Sequence, residues 1–289
     1  MKTGARIAGM SGRNKTLIKA RKVKEDEFYT RMEDVEVMME HAKEHLQGRR
    51  VYLNCDSKES AFYQYFKNNY AQHKLKRLTA TGYNPDGKGS SIVYDGKKER
   101  VEELIGDGDF RSKECQKLIS QHDIVITNPP FSLSNDHLYV ILKNNIDFLY
   151  IGSMLDVKNK LVINETVKNR MRIVGYVDTF IRKDGTTRSV GAYWYTNLPV
   201  QPMNISQITP KKTLKETKYY VPDERSCIVV DNINDVPTNY GGKIGVPVTG
   251  AHRLSRDEWA IVGEIKPTRS GKKKYHRILV KRKRDSSEC

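Results

Sequence analysis

The chain has 289 residues, of which 37% are hydrophobic and 30% charged, enough apolar material for a sizeable core and too much for global disorder. Its 51 Lys and Arg against 35 Asp and Glu leave a net charge of +16, a self-repelling excess that points first to nucleic acid and second to an anionic membrane surface. Cys55, Cys115, Cys227 and Cys289 form no CxxC pair, and no run approaches the ~18 apolar residues of a membrane helix, which argues against a zinc ribbon, a redox dithiol or a membrane span. With no apolar signal segment at the amino end, a reduced cytoplasmic protein is expected, with no membrane partner.

Residues 1–24 hold eight Lys or Arg and no acid, an arm able to order on a phosphate backbone or merely to solubilise the chain. Acids arrive at Glu25-Asp26-Glu27, followed by Phe28-Tyr29-Thr30. Val35, Met38, Met39, Ala42 and Leu46 recur at helical spacing, which predicts a helix over 33–46 capped by Thr30 and Glu33 and stopped by Gly48. Val51-Tyr52-Leu53 reads as a strand ending at Asn54-Cys55-Asp56-Ser57, and a second helix follows with Ala61, Phe62, Tyr65 and Phe66 on its apolar face. No glycine-rich fingerprint marks this corner. Residues 75–81 read as the next strand. A turn-rich loop follows, then Ser91 to Tyr94 with Asp95-Gly96 as a hairpin signal. Asp107-Gly108-Asp109-Phe110 is a tight acidic turn, and Cys115, Leu118 and Ile119 mark a helix.

The next strand, Ile124 to Thr127, ends in Asn128-Pro129-Pro130-Phe131. Neither proline can continue a sheet ladder, so the chain leaves the sheet there. In an open α/β sheet, ligands bind at such carboxyl strand ends. Further on, 138–142 reads as a helix, 148–151 as a strand, and 158–169 as an amphipathic helix with Leu161, Val162, Glu165 and Lys168 marking its faces. Arg172 to Tyr176 and the run ending in Ala192-Tyr193-Trp194-Tyr195, separated by Asp184-Gly185, predict an antiparallel hairpin. From Leu198 onward prolines punctuate short segments, which reads as an irregular lobe around the strand Ile278-Leu279-Val280. The fold class expected is α/β, a mostly parallel sheet with an antiparallel terminal hairpin and a basic C-terminal lobe. The division expected is a 1–24 arm, a 25–198 catalytic domain and a 199–289 lobe. Cations at both ends, Lys15, Lys19, Arg21 and Lys22, then Lys272, Lys273, Lys274, Arg277, Lys281, Arg282, Lys283 and Arg284, are the candidates for nucleic-acid contact.

The four residues after the Ile124 strand suit one chemistry. An exocyclic amine on a base edge attacks a methyl group only when its lone pair leaves the ring's conjugation. The Asn128 side-chain oxygen and the Pro129 carbonyl are two acceptors that favour that geometry, held rigid by proline. Phe131 offers a face for a flat ring, and a duplex base would have to be flipped out to reach it. Seven scattered histidines show no HExxH spacing, so no metal is expected. A chance Asn-Pro-Pro turn remains the competing reading of these residues taken alone.

Several ordered stretches carry a resemblance: Asp26 to Thr30, Tyr52 to Asp56, Gly106 to Ser112, Thr127 to Leu133, Trp194 to Leu198, Gly245 to Thr249 and Arg277 to Lys281. With these the chain resembles, over most of its length, the adenine-specific DNA methyltransferases typified by the EcoRI modification methylase. The resemblance implies a class I methyltransferase fold and S-adenosylmethionine as cofactor. It implies site-specific N6 methylation of adenine in double-stranded DNA within restriction-modification, by a bacterial or phage-encoded enzyme whose oligomeric state is left open, a monomer being compatible. By position, Phe28, Tyr29 and Thr30 would cover the cofactor's methionine end. Asn54, Cys55 and Asp56 would fill the strand-end corner, with Asp56 on the amino group. Asp109 and Phe110 would border its adenine, and Asn128, Pro129, Pro130 and Phe131 would form the catalytic pocket. The chain departs from the family pattern in lacking an acid for the ribose after the strand 75–81 and an aromatic after Ser132-Leu133. It is also short between Met154 and Trp194 and after Thr81. Pockets of this type also act on RNA adenine, cytosine N4 and protein glutamine, and an inactive DNA-binding module is a further alternative.

Overall fold

The computed structural model describes residues 28–283. Nine strands form the main sheet: β1 (Tyr29–Thr30), β2 (Arg50–Leu53), β3 (Arg77–Gly82), β4 (Ser90–Tyr94), β5 (Glu99–Glu103), β6 (Ile124–Thr127), β7 (Asp147–Ser153), β8 (Arg172–Ile181) and β9 (Thr187–Thr196). Their order is β1-β8-β9-β7-β6-β2-β3-β4-β5. The block β7-β6-β2-β3 is parallel. Every other pairing is antiparallel. The expected mostly parallel sheet is therefore corrected: three of the eight pairings are parallel, and antiparallel strands flank that block on both sides. Short turns explain this, because β3-β4-β5 and β8-β9 are joined too closely for the crossover a parallel pair requires.

Five helices cover the sheet: α1 (Met32–His41), α2 (Ala61–Asn68), α3 (Lys113–Ile119), α4 (Ser134–Asn144) and α5 (Lys160–Val167). Strand alternation sorts the core into two layers. Val51, Leu53, Ile124 and Ile126 pack with Met38, Met39, Phe62 and Phe66 of α1 and α2. Tyr52 and Val125 point the other way, into a layer with Leu138 and Ile141 of α4 and Val162 of α5. All four residues of β6 are buried, as strands covered on both faces must be.

Local rules set the helix ends. Ser60 caps α2 by accepting from the Tyr63 amide, and Ser112 caps α3 by accepting from the Cys115 amide. The expected Thr30 cap is not formed: α1 starts after Arg31 with no side-chain cap, and the Thr30 hydroxyl accepts from Asn128 instead. The helix stops at His41 and continues as a short 3₁₀ turn, Lys43–His45, before Gly48 at φ +68°. In α5, Glu165 is not on the wet face but buried, paired with Arg170 at 2.7 Å.

The segment read as an irregular lobe contains a second sheet, built from β10 (Tyr219–Tyr220), β11 (Ile228–Val230), β12 (Ile244–Pro247), β13 (Trp259–Ile265) and β16 (Arg277–Arg282), in the order β10-β11-β12-β16-β13. A small hairpin, β14 (Thr268–Arg269) with β15 (Lys272–Lys273), stands beside it. Its core takes in Ile163 of α5, so the two sheets share a helix. Among the described residues no helix is long and apolar enough to cross a membrane.

Candidate active site

The carboxyl ends of β2, β3 and β6 open onto one cavity of about 590 Å³, within the size range of small-molecule sites. All twelve residues singled out from the sequence line it: Phe28, Tyr29 and Thr30; Asn54, Cys55 and Asp56; Asp109 and Phe110; and Asn128 through Phe131. Each group arrives differently. β1 is held by pairing with the end of β8, Tyr29 opposite Ile181 and Thr30 opposite Phe180. Asn54 and Asn128 follow directly after β2 and β6, where the prolines end the latter.

The Asn128 amide has one orientation. Its Nδ2 donates to the Phe28 carbonyl at 2.7 Å and to Thr30 Oγ1 at 3.2 Å. A carbonyl only accepts, so the nitrogen must lie on that side. Oδ1 is left buried with no hydrogen-bond partner. An unpartnered buried acceptor costs about 1–3 kcal/mol, which a ligand's N–H would recover. Asn54 shows the reverse. Its Oδ1 accepts from His137 Nε2 at 3.0 Å, and its Nδ2 is the atom without a partner. Burial pushes His137 down to about 3, so the ring is neutral and serves as the donor.

Asp56 is 6% exposed and accepts from Thr127 Oγ1 at 2.6 Å. Burial raises its carboxyl to about 7, and the Thr127 hydrogen bond only partly offsets this. A bound cation would relieve that desolvation. Cys55 also lines the cavity, and burial drives its thiol well up, away from thiolate chemistry. Asp109 is already engaged: its Oδ2 accepts from Arg111 Nη2 at 2.6 Å, and Arg111 in turn reaches Asp136 at 2.9 Å. Where the family aromatic was expected, Ser134 begins α4 and donates to Asp156 at 2.5 Å.

At the Asn128–Phe131 end of the cavity, the Phe131 ring lies 5.8 Å from Phe28 and 5.7 Å from Phe180. The sequence reading missed several wall residues, among them Met32, Glu59, Gly82, Tyr83 and Ile181. Glu59 had a signal, since it sits in the strand-end turn beside the α2 cap. Ile181 had none, because only the β1–β8 pairing brings it there.

The cationic candidates do not form one group. Lys15, Lys19, Arg21, Lys22 and Arg284 lie outside the described residues, as does the 1–24 arm. Lys272, Lys273, Lys274, Arg282 and Lys283 are exposed, and Lys281 is half-buried. Arg282 donates to the Thr238 carbonyl at 2.8 Å. Arg277 is buried and spent on Asp231 at 2.6 Å and on the carbonyls of Tyr275 and His276.

A parallel α/β block with an acceptor amide and two prolines at a strand end, opening on one cavity, defines a class I methyltransferase-like protein. The profile of adenine-specific methyltransferase EcoRI matches residues 16–103 and 91–288. The chain is 32% identical to the Type II methyltransferase M.EcoRI of Escherichia coli, covering 94% of this chain and 97% of that protein. It is 26% identical to M.MgeORF184P of Mycoplasma genitalium and to M.MpnI of Mycoplasma pneumoniae, over 91% and 92% of this chain and 98% of each relative. No solved structure gives a significant match. The chain belongs to the EcoRI family of adenine-specific methyltransferases.

Proposed function

We propose how this chain carries out the activity of its family, site-specific transfer of a methyl group to N6 of adenine in DNA. The single observation that carries the assignment of the target end is the Asn128 amide, whose nitrogen is spent on Phe28 and Thr30 while its oxygen has no partner. That oxygen accepts a hydrogen from the adenine N6 amine, and the Pro129 carbonyl takes the other. The Phe131 ring supports the extruded base from one side.

The residues at the other end fit S-adenosylmethionine. Asp56 holds an ammonium group, and the unpartnered Nδ2 of Asn54 offers a donor to a carboxylate. Asp109 and Phe110 border the cofactor's adenine, and Phe28 to Thr30 close over its methionine end. When bound, the cofactor supplies an electrophilic sulfonium methyl. The protein's own contribution is alignment of the two reactants and acceptors matched to the positive charge that develops on N6. No side chain is required as a nucleophile, consistent with the raised Cys55 thiol. The 1–24 arm and the exposed lysines of the 199–289 lobe hold the duplex backbone.

Methylation of a random duplex library, read by modified-base sequencing, tests this. N6-methyladenine confined to one sequence context is expected. Methyl groups found only on cytosine N4, on RNA or on protein glutamine would overturn it.

A further inference from the structure

The β8–β9 hairpin outruns β7, the strand that joins it to the parallel block. β9 pairs with β7 only from Thr196 to Ala192, while residues 187–191 continue past Ser153 with β8 beside them. At about 3.3 Å per residue this overhang reaches roughly 17 Å beyond the carboxyl edge. The register slips between Val177 and Thr179, where the hairpin passes the end of β7, and such a bulge bends and twists a strand pair. Past it, Phe180 packs on Phe28 and Phe131 at 6.0 and 5.7 Å, and Ile181 joins the cavity wall. The overhang therefore stands at the Asn128–Phe131 end of the cavity.

Its tip is cationic. Arg182, Lys183 and Arg188 lie within seven residues, and no ion pair joins any of them to a carboxylate among the described residues. The turn's own acid, Asp184, accepts from the Thr186 amide and hydroxyl at 2.9 and 2.6 Å, and feels Arg182 only through space. Arg188 sits apart from the other two: cross-strand from Phe180, its guanidinium lies 5.5 Å from the Phe28 ring centre. The Phe28 carbonyl is the acceptor that orients Asn128, and Thr30, paired with Phe180, is the second. One strand separates the hairpin from the amide.

We propose that this overhang is a DNA-docking arm. Arg182 and Lys183 bind phosphates of the strand that carries the target base, and Arg188 is a positioning residue whose seat on Phe28 couples that grip to the Asn128 amide. The inference rests on the adenine-methyltransferase reading above. An extruded nucleotide stays attached to its strand, so the phosphates on either side of it must lie at the cavity mouth, where this tip stands.

The test uses the full-length enzyme and its Arg182→Gln/Lys183→Gln, Arg188→Ala and Arg188→Lys variants. Binding to a random-sequence duplex pool is measured across salt concentrations, with turnover on the same pool and cofactor affinity alongside. For the double variant, DNA affinity is expected to fall tenfold or more. The slope of log affinity against log salt should become shallower by about 1.8, close to 0.9 for each phosphate no longer neutralised, with cofactor affinity unchanged. Arg188→Ala is expected to lower kcat about tenfold. Arg188→Lys keeps the charge without the planar stack on Phe28, so its kcat is expected to stay as low as that of Arg188→Ala, with DNA affinity unchanged. An unchanged salt slope in the double variant overturns the docking arm, and an unchanged kcat in Arg188→Ala overturns the coupling. A wild-type enzyme that leaves DNA adenine unmethylated overturns the underlying reading instead, independently of any variant.

Discussion

The role proposed for Asn128 rests on what its nitrogen does. Two acceptors, one just before β1 and one within it, hold Nδ2, so the orphaned Oδ1 is positioned before any substrate arrives. Asn128→Ala is expected to cut kcat by about 10²–10³, the range seen when one preorganised polar group is removed, with cofactor affinity within twofold of wild type. Asn128→Asp should be as damaging, since a carboxylate cannot donate to the Phe28 carbonyl; single-turnover kinetics would separate both from binding defects. Asp56 gives a pH dependence. Burial raises its carboxyl from 3.8 to about 7, so the folded chain holds that proton more tightly than the unfolded one. In that window stability falls as pH rises from about 4 to about 7, by up to roughly 4 kcal/mol, and levels off above. Asp56→Asn should remove that slope, seen as the difference between the two melting curves across pH. An ammonium ligand needs the ionised form, so wild-type cofactor affinity should climb through pH 7 while that of Asp56→Asn stays flat. Asn128 and Asp56 were both legible as polar residues ending apolar strands. The free oxygen was not, because its cause, the Phe28 carbonyl, lies 100 residues away in the chain.

At the scale of elements, part of the cavity wall depends on the end of β3 and the acidic turn 107–109, which touch through glycines. Gly108 has φ +81°, and a Cβ there would meet the Gly82 carbonyl oxygen at 2.3 Å. Both glycines line the cavity, so Gly108→Ala must push the β3 end away from the acidic turn. That variant is expected to lose about 1–3 kcal/mol of stability and at least tenfold in cofactor affinity, measured by calorimetry and thermal unfolding. Its turn chemistry was visible in Asp107-Gly108-Asp109, but not its neighbour. The same division runs through the fold. Short apolar runs marked β2, β3, β6 and β7, and Asp95-Gly96 marked the β4–β5 hairpin, because those signals are local. The direction of the sheet was misjudged because β9 inserts between β7 and β8, and β1 adds to β8 from about 150 residues upstream. Periodicity reports which face a residue buries, not which strand lies beside it. The second sheet was hidden for a related reason: β10 and β11 have two and three residues, too few to alternate.

For the whole molecule, the question is whether two sheets make two units. α5 answers it structurally. Val162 packs in the core of the main sheet, and its neighbour Ile163 packs in the core of the second. The connecting chain adds ties: the Met203 amide donates to the Val174 carbonyl at 2.8 Å, and the His41 ring bonds the Gln201 carbonyl at 2.7 Å. A helix shared between cores cannot release one side without exposing apolar surface on the other. The full chain is therefore expected to unfold in one cooperative calorimetric transition, with van't Hoff and calorimetric enthalpies equal. The site proposed for the cofactor lies at the main sheet, yet saturating cofactor should raise the midpoint of that entire transition, by linkage. A chain ended at residue 198 should fail this comparison, because Ile163 and Val167 would face water; reduced soluble yield or a broad, low-enthalpy melt is the expected result. Two resolved transitions in the full chain, with only the one shifting on cofactor addition, would instead make the C-terminal lobe an independent unit.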